Sequence, residues 1–169
     1  MKWIAISGSW RKTSQKVEND VRQAVREIIS RGDGIVTGGA LNVDYFATDE
    51  VLKLNPGATQ IKVCLPVTLE RYAAHYRKRA NEGVITHQQA EELIAQLAAL
   101  KKVNPSALIE NKENTAVDKT TYFKRNAKVI ELSNELYAFQ VNDSEGVQDT
   151  ADRAKTQGKP VKIKKYSIP

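Results

Sequence analysis

Three stretches of the chain place glycine, in two of them with hydroxyl side chains, directly after a short apolar run. They are Ser7-Gly8-Ser9-Trp10-Arg11-Lys12-Thr13, Gly38-Gly39-Ala40-Leu41-Asn42-Val43-Asp44, and Asn142-Asp143-Ser144-Glu145-Gly146-Val147-Gln148-Asp149-Thr150. Glycine tolerates positive φ and lets a ligand approach the backbone. Free amides at a helix start, with hydroxyls beside them, favour an anion. In the first stretch Arg11 can add a bidentate clamp. In the second, Asp44 can accept from a ribose hydroxyl or simply cap its own helix. Lys124-Arg125-Asn126 forms a fourth element, read at a helix start where the macrodipole favours negative charge. A function that points this basic pair at an anion explains it; so does a solvated pair one turn away.

The candidate phosphate-binding set is therefore Ser7, Gly8, Ser9, Arg11, Thr13, Gly38, Gly39, Ala40, Asp44, Lys124, Arg125, Asn126, Ser144, Glu145, Gly146 and Thr150. Each loop alone is as readily a turn as a site. Their joint placement at three strand ends is what points to a ligand. Neither G-x-G-x-x-G nor G-x-x-x-x-G-K-[ST] occurs, which argues against ordinary NAD binding and P-loop ATP hydrolysis. No cofactor is expected.

The elements that must position these residues follow from apolar spacing. Lys2–Ile6 reads as a buried strand. Val17, Val21, Ala24, Val25 and Ile28 recur at helical steps behind Ser14, a candidate N-cap, giving a helix over Ser14–Ser30. Ile35–Thr37 is a second strand, and Asn42 or Asp44 can cap a helix carrying Phe46, Ala47, Val51 and Leu52. Asn55-Pro56-Gly57 ends that helix. Ile61–Leu65 is a third strand. Near the C-terminus come a helix over Tyr122–Leu132, a strand over Leu136–Val141, a helix over Gly146–Thr156 and a strand over Val161–Lys165. Five strands alternating with helices predict a Rossmann-like, doubly wound α/β fold with a mostly parallel five-stranded sheet. The whole chain, 1–169, reads as one domain.

Residues 69–121 exceed what a minimal fold of this class needs and are expected as a helical insert. Thr86 and Gln89 resemble a capping box. Behind them Ala90, Leu93, Ile94, Leu97 and Leu100 form an apolar stripe, suited to packing on its own domain, to a homodimer face or to a lid. Asn104–Thr121 is polar and reads as a loop.

Composition narrows the classes. The single cysteine, Cys64, excludes an internal disulfide, and two histidines make a histidine-built metal site improbable, so no metal is expected. No apolar run approaches the roughly 20 residues of a membrane helix, and the start of the chain does not read as a signal peptide. The expectation is a cytoplasmic protein without a membrane partner. A net charge of +6 and a pI near 9.4 favour a phosphate-bearing partner or simply a basic surface.

Taken in order, Gly8-Ser9, then Gly38-Gly39-Ala40 with Val43-Asp44 and Ala47, then Arg125-Asn126, Gly146 with Thr150-Ala151, and Gly158-Lys159-Pro160-Val161 resemble the SLOG superfamily. That group includes the DprA/Smf DNA-processing proteins, the YspA-like proteins and the LOG phosphoribohydrolases. The likeness is strongest to the Rossmann core of the DprA/Smf members. It covers roughly Lys2–Val67 and Tyr122–Lys165, and leaves out the insert. The resemblance implies binding of a nucleotide, a nucleotide-derived ligand or single-stranded DNA, and frequent homodimerisation. The P-G-G-x-G-T signature of the LOG hydrolases is missing, which favours binding over cleavage of a nucleoside monophosphate. Were the chain such a hydrolase, Arg125 with Glu145 or Asp149 would supply the acid and base. A scarcity of exposed aromatic side chains, chiefly Trp10 and a few tyrosines, argues against strong sequence-tolerant single-strand binding.

Overall fold

The computed structural model describes all residues, Met1–Pro169. The first apolar run becomes β1 (Trp3–Gly8), so the first candidate loop begins inside the sheet. Ser14 accepts from the Val17 amide at 3.3 Å and starts α1 (Gln15–Ser30). β2 (Gly34–Thr37), α2 (Val43–Leu54) and β3 (Ile61–Cys64) follow. The chain then forms α3 (Leu69–Asn81) and α4 (His87–Val103), whose Thr86–Gln89 capping box is formed on both sides. A short strand β4 (Leu108–Ile109) leads to α5 (Lys119–Glu131), β5 (Glu135–Val141), α6 (Glu145–Thr156) and β6 (Val161–Tyr166).

The sheet has six strands in the order β4-β3-β2-β1-β5-β6, and every pairing is parallel. The count of five expected from the sequence is corrected. β4 lies inside the polar stretch read as loop and pairs Leu108 and Ile109 with Val63 and Cys64. Two residues carry no periodicity to read. The chain winds outward from β1 to β4, then returns across the sheet to β5, so the strand order reverses between β1 and β5.

Alternation along β1 divides the interior. Ile4 and Ile6 join a large cluster beneath α1, α2, α3 and α4, while Ala5 joins a smaller one beneath α5 and α6. The segment 69–121 is part of this frame: Leu93, Leu97 and Leu100 of α4 are fully buried in the larger cluster. Of the openings the stripe left, packing on its own domain is the one the fold uses. α5 also begins earlier than its apolar pattern. Asp118 caps it, with Thr121 returning the bond, so Lys124 and Arg125 lie in its second turn and not at its start. The macrodipole argument for that basic pair therefore lapses.

Candidate functional site

Where strand order reverses in an open α/β sheet, the loops part and leave a crevice beyond the strand ends. Here the loops after β1, β2 and β5 meet in that crevice on a cavity of about 100 Å³. Ser7, Gly8, Gly38, Ala40, Asp44, Arg125, Asn126, Ser144, Gly146 and Thr150 line it. It adjoins a larger compartment of about 330 Å³, and Trp10, Ala40, Arg125, Asn126 and Gly146 border both.

The glycines at the strand ends have separate reasons. A Cβ on Gly8 would lie 2.3 Å from Val43 at the start of α2. A Cβ on Gly38 would lie 2.7 Å from the guanidinium carbon of Arg125. Gly39 takes φ +68, a conformation that disfavours side chains. Only Gly146 has open space where a Cβ would go.

The Gly38–Ala40 loop is held at three successive residues. Arg125 Nη1 donates to the Gly38 carbonyl at 2.6 Å, the Tyr72 hydroxyl to the Gly39 carbonyl at 2.9 Å, and the Ala40 amide to Asp44 Oδ2 at 3.1 Å. Arg125 Nε also donates to Asn126 Oδ1 at 3.1 Å, and the guanidinium stands 5.1 Å above the Tyr122 ring. Arg125 thus shapes the loop through Nε and Nη1. Burial pushes the Asp44 carboxyl above the usual carboxylate range, against the pull of Arg125 and of the Ala40 and Gly38 amides. Its Oδ1 is buried without a hydrogen-bond partner. At the third loop, Ser144 precedes α6 without a side-chain cap bond, which leaves the first amides of that helix unclaimed by it.

Six candidate residues lie outside the cavity lining. Ser9 Oγ accepts from the Val141 amide at 2.9 Å and donates to the Val141 carbonyl at 3.3 Å, a tie between β1 and β5. Arg11 is exposed and stacks 5.6 Å over Trp10, and the Thr13 hydroxyl is buried without a partner. Gly39 turns its carbonyl to Tyr72. Lys124 lies in a different groove, beside Cys64 and Glu131. Glu145 borders the larger compartment and pairs with Lys119 at 2.7 Å. Asp149 accepts from Arg153 at 2.8 Å and from Asn126 at 3.2 Å. Arg125 forms an ion pair with neither acid. Cys64 is buried, and burial pushes its thiol up to about 12.

The site also has members that sequence reasoning missed. Tyr72 and Tyr76 of α3 share a hydroxyl contact of 3.2 Å beneath the second loop, and Tyr76, Tyr122 and Phe123 wall the larger compartment. The i,i+4 spacing of the first pair and the i,i+3 spacing of Tyr122 and Arg125 were the available signals.

No family model matches the chain, and no curated protein matches it in sequence. Among solved structures it is similar to DNA processing protein A from Helicobacter pylori, at a TM-score of 0.68 and 21% identity, over 96% of this chain and 64% of that one. It is also similar to DNA processing protein A (DprA) from Streptococcus pneumoniae, at a TM-score of 0.51 and 14% identity, over 95% of this chain and 58% of that one. The chain thus spans about three-fifths of the length of these proteins. Together with the strand order and the crevice, these matches establish that the chain has the Rossmann-type fold found in DNA processing protein A.

Proposed function

We propose that the chain binds single-stranded nucleic acid through its sugar–phosphate backbone, with a phosphate seated in the small cavity between the loops after β1, β2 and β5. The observation that carries this reading is the convergence of Gly38–Ala40, Arg125 and the uncapped start of α6 on one crevice at the reversal point. Arg125 presents its outer guanidinium edge, and the α6 amides supply further donors without a cation. The net charge of +6 draws a polyanion in. The Helicobacter pylori protein of the same fold binds single-stranded DNA. A nucleotide presents the same phosphate chemistry and is the competing ligand. The proposal concerns binding alone, since the chain spans only part of those larger proteins.

The test is a titration with an oligothymidine at several salt concentrations. Each phosphate neutralised contributes about −0.7 to the slope of log K against log salt for a single strand. Two or three contacts therefore predict a slope of roughly −1.4 to −2.1. Salt-independent affinity, or no binding at low ionic strength, refutes the reading. Tight binding of a mononucleotide that the oligomer cannot displace transfers the site to the nucleotide.

A further inference from the structure

Of the 14 residues that line the small cavity, only Asp44 on α2 and Arg125 on α5 carry a charge. Asp44 is 5% exposed. Its Oδ2 accepts from the Ala40 amide at 3.1 Å, whereas its Oδ1 is buried and meets no donor. An ionised oxygen in that position is costly, and a proton on it removes most of the cost. The surroundings supply a single cation. Arg125 and the neutral Asn126 face the carboxyl from α5, the Tyr72 hydroxyl from α3, and the Gly38 and Ala40 amides from the second loop. The loops after β1 and β5 add only the uncharged Ser7, Gly8, Ser144 and Gly146. Glu145 stands outside this lining, paired with Lys119 at 2.7 Å. Burial already outweighs Arg125 and the amides and holds the carboxyl above its usual range.

We infer that a phosphate entering this cavity takes over the countercharge of Asp44, so that binding is coupled to uptake of a proton by that carboxyl. The inference rests on the phosphate reading and adds to it a dependence on pH. Two anions beside one guanidinium in a small cavity repel each other, and one of them is driven to its neutral form. A phosphodiester stays ionised across the neutral range, so the carboxyl is the group that yields. The proton comes from solvent and settles on Oδ1, the oxygen that no donor claims, while Oδ2 keeps the Ala40 amide. No bond of the ligand is made or broken. The bound state therefore holds Asp44 at a higher pKa than the free state does. Affinity is greatest below the free-state value and falls as pH rises towards the bound-state value, by at most about tenfold per pH unit for one proton.

The experiment is calorimetric titration of the whole chain with an oligothymidine lacking terminal phosphates, at fixed salt and between about pH 5 and 9. Each pH is run in two buffers of different ionisation heat, which counts the protons taken up. The wild type is expected to lose affinity as pH rises and to take up a proton where the loss is steepest. Asp44→Asn, neutral at every pH, is expected to bind with a flat profile and no uptake. His75 of α3, which borders the larger compartment and whose pKa burial lowers, is the other group able to titrate nearby. The slope should therefore survive in His75→Gln. If Asp44→Asn fails to fold, proton uptake that persists in His75→Gln supports the coupling and its disappearance overturns it. A flat wild-type profile without uptake overturns the coupling while the phosphate reading stands. Affinity that rises with pH, or a slope that persists in Asp44→Asn, overturns it as well. If the wild type binds at no pH, the phosphate reading falls and the coupling with it.

Discussion

The crevice has two sides built on different terms. On the side of β1 and β2, loop atoms are already committed: Gly8 makes room for Val43, Gly38 for Arg125, and the carbonyls of Gly38 and Gly39 are taken by Arg125 and Tyr72. On the side of β5, Ser144 caps nothing with its side chain, Gly146 faces open space, and Asn142 and Asp143 sit at positive φ of 50 and 54. A glycine after a strand therefore means packing on one side and access on the other. The first side sets the shape of the floor, and the second offers the donors.

Gly8→Ala breaks the committed side most severely. The new Cβ meets a β-branched side chain rooted at the first residue of α2, and Val43 cannot swing away without moving the helix. Overpacking of this kind costs about 3 kcal/mol, the upper part of its usual range. For a chain of this size that is a fall of roughly 6–12 °C in Tm, read by thermal denaturation. An unchanged Tm would show that the two sides do not differ as described.

Arg125→Ala comes next, because this residue belongs to both sides. Losing its bond to the Gly38 carbonyl lowers stability by about 1–2 kcal/mol, and losing its outer edge lowers oligothymidine affinity by about one to two decades. Arg125→Lys restores neither fully, since an ammonium cannot hold the loop carbonyl and a phosphate through one planar fork. Denaturation and calorimetric titration of both variants separate the two losses. Intact affinity in Arg125→Ala would remove the residue from the site.

The smallest effect sharpens the contrast. Gly146→Ala finds no neighbour within 4 Å and lies at the start of α6, so its stability should stay within about 0.5 kcal/mol of the wild type or rise slightly. Its methyl group enters the cavity, and affinity for the oligothymidine should fall severalfold. A drop in Tm as large as that of Gly8→Ala would mean that the open side is packed after all.

The parts of this molecule legible in the sequence are those whose signals are local. The stripe and capping box of α4 and the Ser14 cap of α1 can be read from neighbouring residues. α3 escaped because its buried face is Tyr72, Ala73, Tyr76 and Ala80, with no aliphatic stripe amid many charges. The start of α5 escaped because its box closes through Thr121, where Glu or Gln is the usual sign. The three loops were legible as strand ends carrying glycine, and they do converge. The reasons for Gly8 and Gly38 were not, because Val43 and Arg125 are remote in sequence from the glycines they approach. Lys124 and Arg125 looked alike as a basic pair, yet adjacent positions on a helix point different ways, and only Arg125 reaches the crevice.

Ser9 stands where the ends of β1 and β5 meet. Its hydroxyl takes the Val141 amide and gives to the Val141 carbonyl, binding the tips of β1 and β5 just past their last sheet pair, Gly8 with Phe139. The two lips of the crevice are thereby fixed in relation to each other when the chain folds. Ordering a backbone residue costs about 1–2 kcal/mol, and along this floor that cost does not recur when a ligand arrives. Arrival can then proceed without waiting for a rearrangement of the floor. Differences among ligands in how well they fill the crevice will appear as differences in how long they stay.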